Sequence, residues 1–115
     1  MVINIHAQGI ELTDALKTYA EEKAISLDKY FDGIRQIDLT IGMESHHHQK
    51  GKIFFTEMIV HVPGTPIVIK KEAEDLYKSI DKVRDHLKVE FDKLKGKMRH
   101  KDRQHIRDQK AYSDV

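Results

Sequence analysis

"RQIDLTIGME", Arg35 to Glu44, sets Ile37, Leu39, Ile41 and Met43 on one side and Asp38, Thr40 and Glu44 on the other. Strict alternation over that length is the pattern of a strand with one buried face and one wet face. A sheet with a single buried face needs a second layer, which the flanking sequence has to supply.

Downstream, "KIFFTEMIVHV", Lys52 to Val62, is a strand of matching length, and Pro63-Gly64 offers the fixed φ and the positive φ of a type II turn. "PIVIKK", from Pro66, returns as a short strand. Upstream, "VINIHA", Val2 to Ala7, alternates as a first strand. Thr13 suits a helix N-cap, with Asp14 favoured by the helix dipole, and the spacing predicts a helix from Asp14 to Phe31. Its apolar face uses Leu16, Tyr19, Ala20, Leu27, Tyr30 and Phe31, interrupted by Lys23, and Asp32-Gly33 ends it.

The last element is long. Leu76, Ile80, Val83, Leu87, Phe91, Leu94 and Met98 step by three or four and make one apolar stripe. Acids (Glu72, Glu74, Asp75) precede it and bases (Lys93, Lys95, Lys97) end it, as the dipole favours. The order is β-α-β-β-β-α. The expected class is α+β: a two-layer sandwich with a four-stranded mixed sheet and both helices on one face, resembling double-stranded RNA-binding folds. The first helix is expected to cross over between parallel first and second strands. Residues 1–99 form a single domain in this reading. Residues 100–115 are a basic tail with almost no apolar content to offset its ordering entropy, and disorder is expected there.

The chain has 115 residues, the size of one domain, and no cysteine, which excludes disulfides, thiol catalysis and Cys-based zinc sites. No apolar run approaches the roughly 20 residues of a membrane span, and "MVINIHAQG" lacks the basic start of a secretion signal. A soluble, cytoplasmic protein is expected. The net charge of +1 hides an asymmetry: residues 1–75 carry 8 Lys/Arg against 12 Asp/Glu, residues 76–115 carry 12 against 7. A mildly acidic body with a basic end points to a polyanionic partner.

No arrangement of nucleophile and base stands out, the glycines are isolated turn residues, and no enzyme and no cofactor are expected. His6 and His61 lie in strands with nothing in the sequence to couple them to a partner. The run His46-His47-His48 falls between two strands, at a hairpin tip. His46 and His48 would point the same way, but two ligands are too few for stable zinc, so a polar loop is the first reading and a metal-responsive interaction protein the alternative.

Along the last helix, Lys78, Lys82, His86, Lys93 and Lys97 fall on one flank of the stripe, and Arg84, Lys88, Lys95 and Arg99 on the other. Mid-helix charges can be absorbed by pairs such as Asp81–Lys78, Asp85–Lys82 and Asp92–Lys88. From Lys93 to Arg103, however, a basic residue recurs at every second position, which suits phosphate contacts that release counterions. Phe54 and Phe55 lie in a strand that the core also claims, so no aromatic platform is expected, and folded RNA fits better than single strands. A generic double-stranded RNA-binding module is a second alternative.

The strings "GIELTDALKTYAEEKAISLDKYFDGI", "VHVPG" and "AEDLYKSIDKV", with the Lys-rich helix end, resemble the short ribosome hibernation-promoting factors, the group that includes protein Y. The likeness runs from Ile3 to Arg99. It implies a non-catalytic protein that binds the small ribosomal subunit and its ribosomal RNA, covers the mRNA and tRNA sites, and silences translation in idle or stressed cells. Carried over by position, Lys23, Lys93, Lys95, Lys97 and Arg99 match basic positions of that family; Lys82 and His86 complete the expected RNA-binding set. His86 stands where a lysine is usual, and Val89-Glu90 replace an Arg-Gln pair, which moves the expected contacts toward the helix end. Long relatives carry a second domain that pairs ribosomes, so a separate dimerising factor is a possible further partner.

Overall fold

A computed structural model describes residues 1–44 and 53–113, with side chains through Lys97. Four strands, β1 (Val2–Gln8), β2 (Gln36–Glu44), β3 (Ile53–His61) and β4 (Ile67–Ala73), form one sheet in that order. β1 pairs parallel with β2, and the other two pairings are antiparallel. The sheet is therefore mixed, as the β-α-β-β-β-α order requires. The alternation in β2 sets the register: Ile37, Leu39 and Ile41 lie opposite Val60, Met58 and Thr56, so the apolar sides of the two long strands share a face.

Helix α1 (Asp14–Ser26) starts where expected, with the Thr13 hydroxyl accepting from the Leu16 amide at 3.2 Å. It ends sooner than expected. Leu27–Lys29 tighten into a 3-10 turn, and Phe31 reaches the core from beyond the helix. Ala20 and Ala24 are fully buried, because small side chains let α1 lie close against its neighbours, while Ile25 faces out.

Helix α2 (Leu76–Ser113) is capped by Asp75, whose carboxylate accepts from the amides of Tyr77 and Lys78. Glu72 belongs to β4, which runs two residues beyond the expected Lys71. The stripe Ile80, Val83, Leu87 and Phe91 is fully buried against the sheet, at about 1.5 to 3 kcal/mol for each side chain of that kind. Phe91 stacks on Phe31 at 5.3 Å, closing the end of the core. The assigned helix runs on to Ser113.

The β3–β4 connection bends through Val62 to Pro66 with Gly64 at φ +93°, the positive φ foreseen there, although without the hydrogen-bonded turn. On the sheet's outer face Phe55 is nonetheless buried, lying under the Lys70 ammonium at 4.7 Å. Gly42 makes room: a Cβ there would meet the Gln8 carbonyl oxygen at 2.3 Å and crowd the Phe55 ring at 3.0 Å.

Candidate nucleic-acid interface

Because the stripe of α2 faces the sheet, its flanks face away, and the cations expected there divide into two groups. Those on the first four turns, Lys78 excepted, are occupied. Lys82 donates to the Glu72 carbonyl at 3.1 Å, Arg84 bonds Asp85 at 3.0 Å, and Lys88 sits over the Tyr30 ring at 4.7 Å. The Lys88 ammonium draws the Tyr30 hydroxyl below its ordinary pKa. The pairs expected between Asp81 and Lys78, Asp85 and Lys82, and Asp92 and Lys88 do not form: Asp81 is taken by α1 and Asp85 by Arg84 of the same helix.

Asp81 shows why. It accepts from the Tyr19 hydroxyl of α1 at 2.7 Å and stands 4.0 Å from Lys23, whose ammonium is also 5.1 Å from the centre of the Tyr19 ring. The bond to Asp81, reinforced by burial, pushes the Tyr19 pKa up to about 12. Lys23 is thus a half-buried member of a knot tying α1 to α2, with its charge offset by Asp81. His86 likewise faces Glu90 at 3.4 Å, one turn on.

The end of the helix differs. Lys93 shares Glu90 at 3.4 Å but keeps two thirds of its side chain in solvent, and among the described residues Lys95 and Lys97 meet no carboxylate. Lys93 and Lys97 are one turn apart on one flank, and Lys95 is 200° from Lys93 on the other. Lys93 and Lys97 also overhang a cleft of about 300 Å³ beneath the β3–β4 bend, floored by Val62, Pro63, Ile67 and Leu94. The structure therefore brings Lys93, Lys95 and Lys97 together on one short segment and leaves Lys23, Lys82 and His86 along the helix seam. The Arg99 side chain lies outside the described residues, as do His46-His47-His48.

The other face of the sheet holds a partner that went unseen in the sequence. His61 approaches Asp38 at 2.9 Å, and Asn4 and Gln36 donate to the same carboxylate at 3.0 and 2.9 Å. These bonds, with Asn4's the largest, hold the Asp38 pKa down to about 2. Three strands meet at that one side chain. Among the described residues no group of three or more potential ligands converges on a metal position, and no helix is long and apolar enough to cross a membrane.

The family model for the sigma 54 modulation protein / S30EA ribosomal protein matches residues 3–99. The chain belongs to that family. Among curated members of the S30EA family, the chain is 36% identical to the ribosome hibernation promoting factor of Azotobacter vinelandii, over 84% of this chain and 85% of that one. It is 27% identical to the ribosome hibernation promotion factor of Lactococcus lactis, over 96% of this chain but only 58% of that relative. The solved Protein Y N-terminal domain of Thermus thermophilus superposes with a TM-score of 0.64 at 27% identity, covering 82% of this chain and 99% of that domain. The matched span ends at Arg99 and so takes in the whole Lys93–Lys97 segment.

In β3, Phe55 is buried and Phe54 half-buried. The exposed rings are tyrosines instead: Tyr77 is 40% exposed, and Tyr19 and Tyr30 are half-buried beside Lys23 and Lys88. A signal was present in the sequence, since Tyr77, Asp81, Arg84 and Lys88 repeat the four-three-four spacing of the apolar stripe one position over.

Proposed function

We propose that this chain is a ribosome hibernation factor that binds the small ribosomal subunit, contacts ribosomal RNA through the end of α2, and silences translation in idle or stressed cells without catalysis. The observation that carries the reading is the Lys93–Lys97 segment, a cationic helix end just past the buried Phe91 in which Lys93 meets only Glu90 and Lys95 and Lys97 meet no carboxylate among the described residues. A rigid, uncommitted cation row loses little entropy on binding a phosphate backbone, and each contact releases condensed counterions. The family membership and the names of the curated relatives support the same partner. Lys23, Lys82, His86 and Arg99 are secondary contacts in this proposal, residues 1–99 are the binding unit, and the site of action is the cytoplasm.

With roughly six phosphate contacts, affinity for small subunits falls on the order of a thousandfold between about 50 and 200 mM salt. The test is sedimentation of stationary-phase lysate at low salt, followed by binding of purified small subunits. The wild-type chain should travel with ribosomes. Changing Lys93, Lys95 and Lys97 together to Ala should release it, lower the salt slope by about 2 to 3, and leave the melting temperature within a degree or so. A wild-type chain that stays with free protein, or that prefers naked duplex RNA to small subunits, overturns the reading.

A further inference from the structure

The seam between α1 and α2 holds a feature that phosphate binding does not use. On α2, Tyr77 leads a row that continues through Arg84 to Lys88, and α1 sets Tyr19 and Lys23 against it, with Tyr30 following. The Tyr19 and Tyr77 rings meet edge to face, 4.8 Å apart at 75°. Arg84 lies close enough to both Tyr19 and Tyr30 for its charge to favour their ionised forms. Aromatic rings and cations therefore alternate along the outside of the helix layer.

Ordinary packing does not account for Tyr77. Its ring stays 40% exposed beside a closed core, and its hydroxyl makes no hydrogen bond among the described residues. Its neighbour is the opposite case, because the Tyr19 hydroxyl is committed to Asp81 at 2.7 Å and cannot turn away. The result is an exposed ring held in place by a fixed one. A held aromatic face suits a nucleobase, and stacking on such a face is tolerant of base identity. Paired bases in a duplex present no free face, so the match is to an unpaired nucleotide.

We propose that Tyr77, braced by Tyr19, is a stacking platform for an unpaired nucleobase of single-stranded RNA. The proposal rests on the RNA-binding reading above and deepens it: the helix seam reads a base face, while the lysine segment reads phosphates.

The two contacts respond differently to salt, and that separates them. Purified small subunits are titrated with the wild-type chain, Tyr77→Phe, Tyr77→Leu and the triple lysine variant at roughly 50 and 200 mM salt. Tyr77→Leu, which keeps bulk and helix propensity but removes the aromatic face, should weaken binding roughly tenfold at both salt levels with an unchanged slope. Tyr77→Phe should bind as wild type, and melting curves of both variants should overlay the parent. Tyr77→Leu binding as tightly as wild type, or losing affinity only through a changed slope or a lower melting temperature, overturns the stacking role while leaving the lysine segment's role standing. If the wild-type chain fails to bind small subunits, the functional proposal has failed, and stacking is decided by tyrosine fluorescence with an oligouridine of about 12 nucleotides against a duplex of equal length. Quenching by the single strand that is absent from Tyr77→Leu supports it; equal response to strand and duplex, or none, overturns it.

Discussion

Between Leu76 and Phe91, Lys82, Arg84 and Lys88 of helix α2 are each held by their own protein, by a carbonyl of β4, by Asp85 and by the ring of Tyr30, and only Lys78 on the first turn stands exposed without a carboxylate among the described residues. Between Lys93 and Lys97, the same helix carries three lysines with one carboxylate, Glu90, among them. The residue types match and the surroundings do not. Along the first segment β4, Asp85 and Tyr30 lie within reach and engage the cations; past Phe91 Glu90 is the one carboxylate in reach among the described residues, and Lys95 and Lys97 meet none. Charge counts alone would rank the two segments alike, whereas the local supply of partners decides which charges remain for another molecule.

The sharpest way to break this division is through the core. Phe91 is fully buried and stacked on Phe31, so Phe91→Ala should cost about 3 to 5 kcal/mol in a denaturant melt, and ribosome binding should fall only as far as the folded fraction does. A variant that melts like the parent would show that the helix end is not anchored where the structure places it.

A smaller effect probes the occupied segment. Asp81→Asn weakens the bond from Tyr19 and should cost about 1 kcal/mol. Tyr19 is raised to about 12 in the folded chain against 10.0 ordinarily, so its contribution is complete below pH 10, the unfolded value, and is lost as pH rises toward 12. In ultraviolet titration, Asp81→Asn should move one tyrosine's ionisation down toward pH 10, and the difference from Tyr19→Phe identifies it. An unchanged titration would mean that the knot between α1 and α2 is not closed in solution.

The smallest effect belongs to the far face, where the pKa of Asp38 is depressed to about 2 from 3.8. Its stabilisation is fully present above about pH 3.8 and is lost as pH falls toward 2. Asp38→Asn should therefore flatten the decline of melting temperature over that range and leave ribosome binding untouched. Altered binding would bring the outer face of the sheet into the interface.

Much of the fold was legible because it rests on periodicity. The alternation of β2 and the stripe of α2 identify buried faces without any knowledge of contacts, and the parallel β1–β2 pairing follows from the intervening helix. What depended on register was not legible. His61 finds Asp38 only because Gln36 lies opposite His61, a pairing across 23 residues that no local pattern announces. The same holds for the buried bond between Thr56 and Ser79 at 2.6 Å, which joins the centre of the sheet to α2 through two hydroxyls that look ordinary in sequence. At the candidate interface the lysine segment was visible as charge without counter-charge. The tyrosines were missed because their spacing is shared with the core stripe, and only the placement of α1 tells a seam from an interior.

The lysines at the end of α2 occupy opposite flanks of the helix, and this has a geometric consequence. A row on one side would be satisfied by any single phosphate-lined surface. Cations on both sides of a rod about 10 to 12 Å across need two such walls facing each other at the matching separation. The helix end then acts as a gauge: it rewards a cleft of one width and passes over flat or gaping surfaces of equal charge.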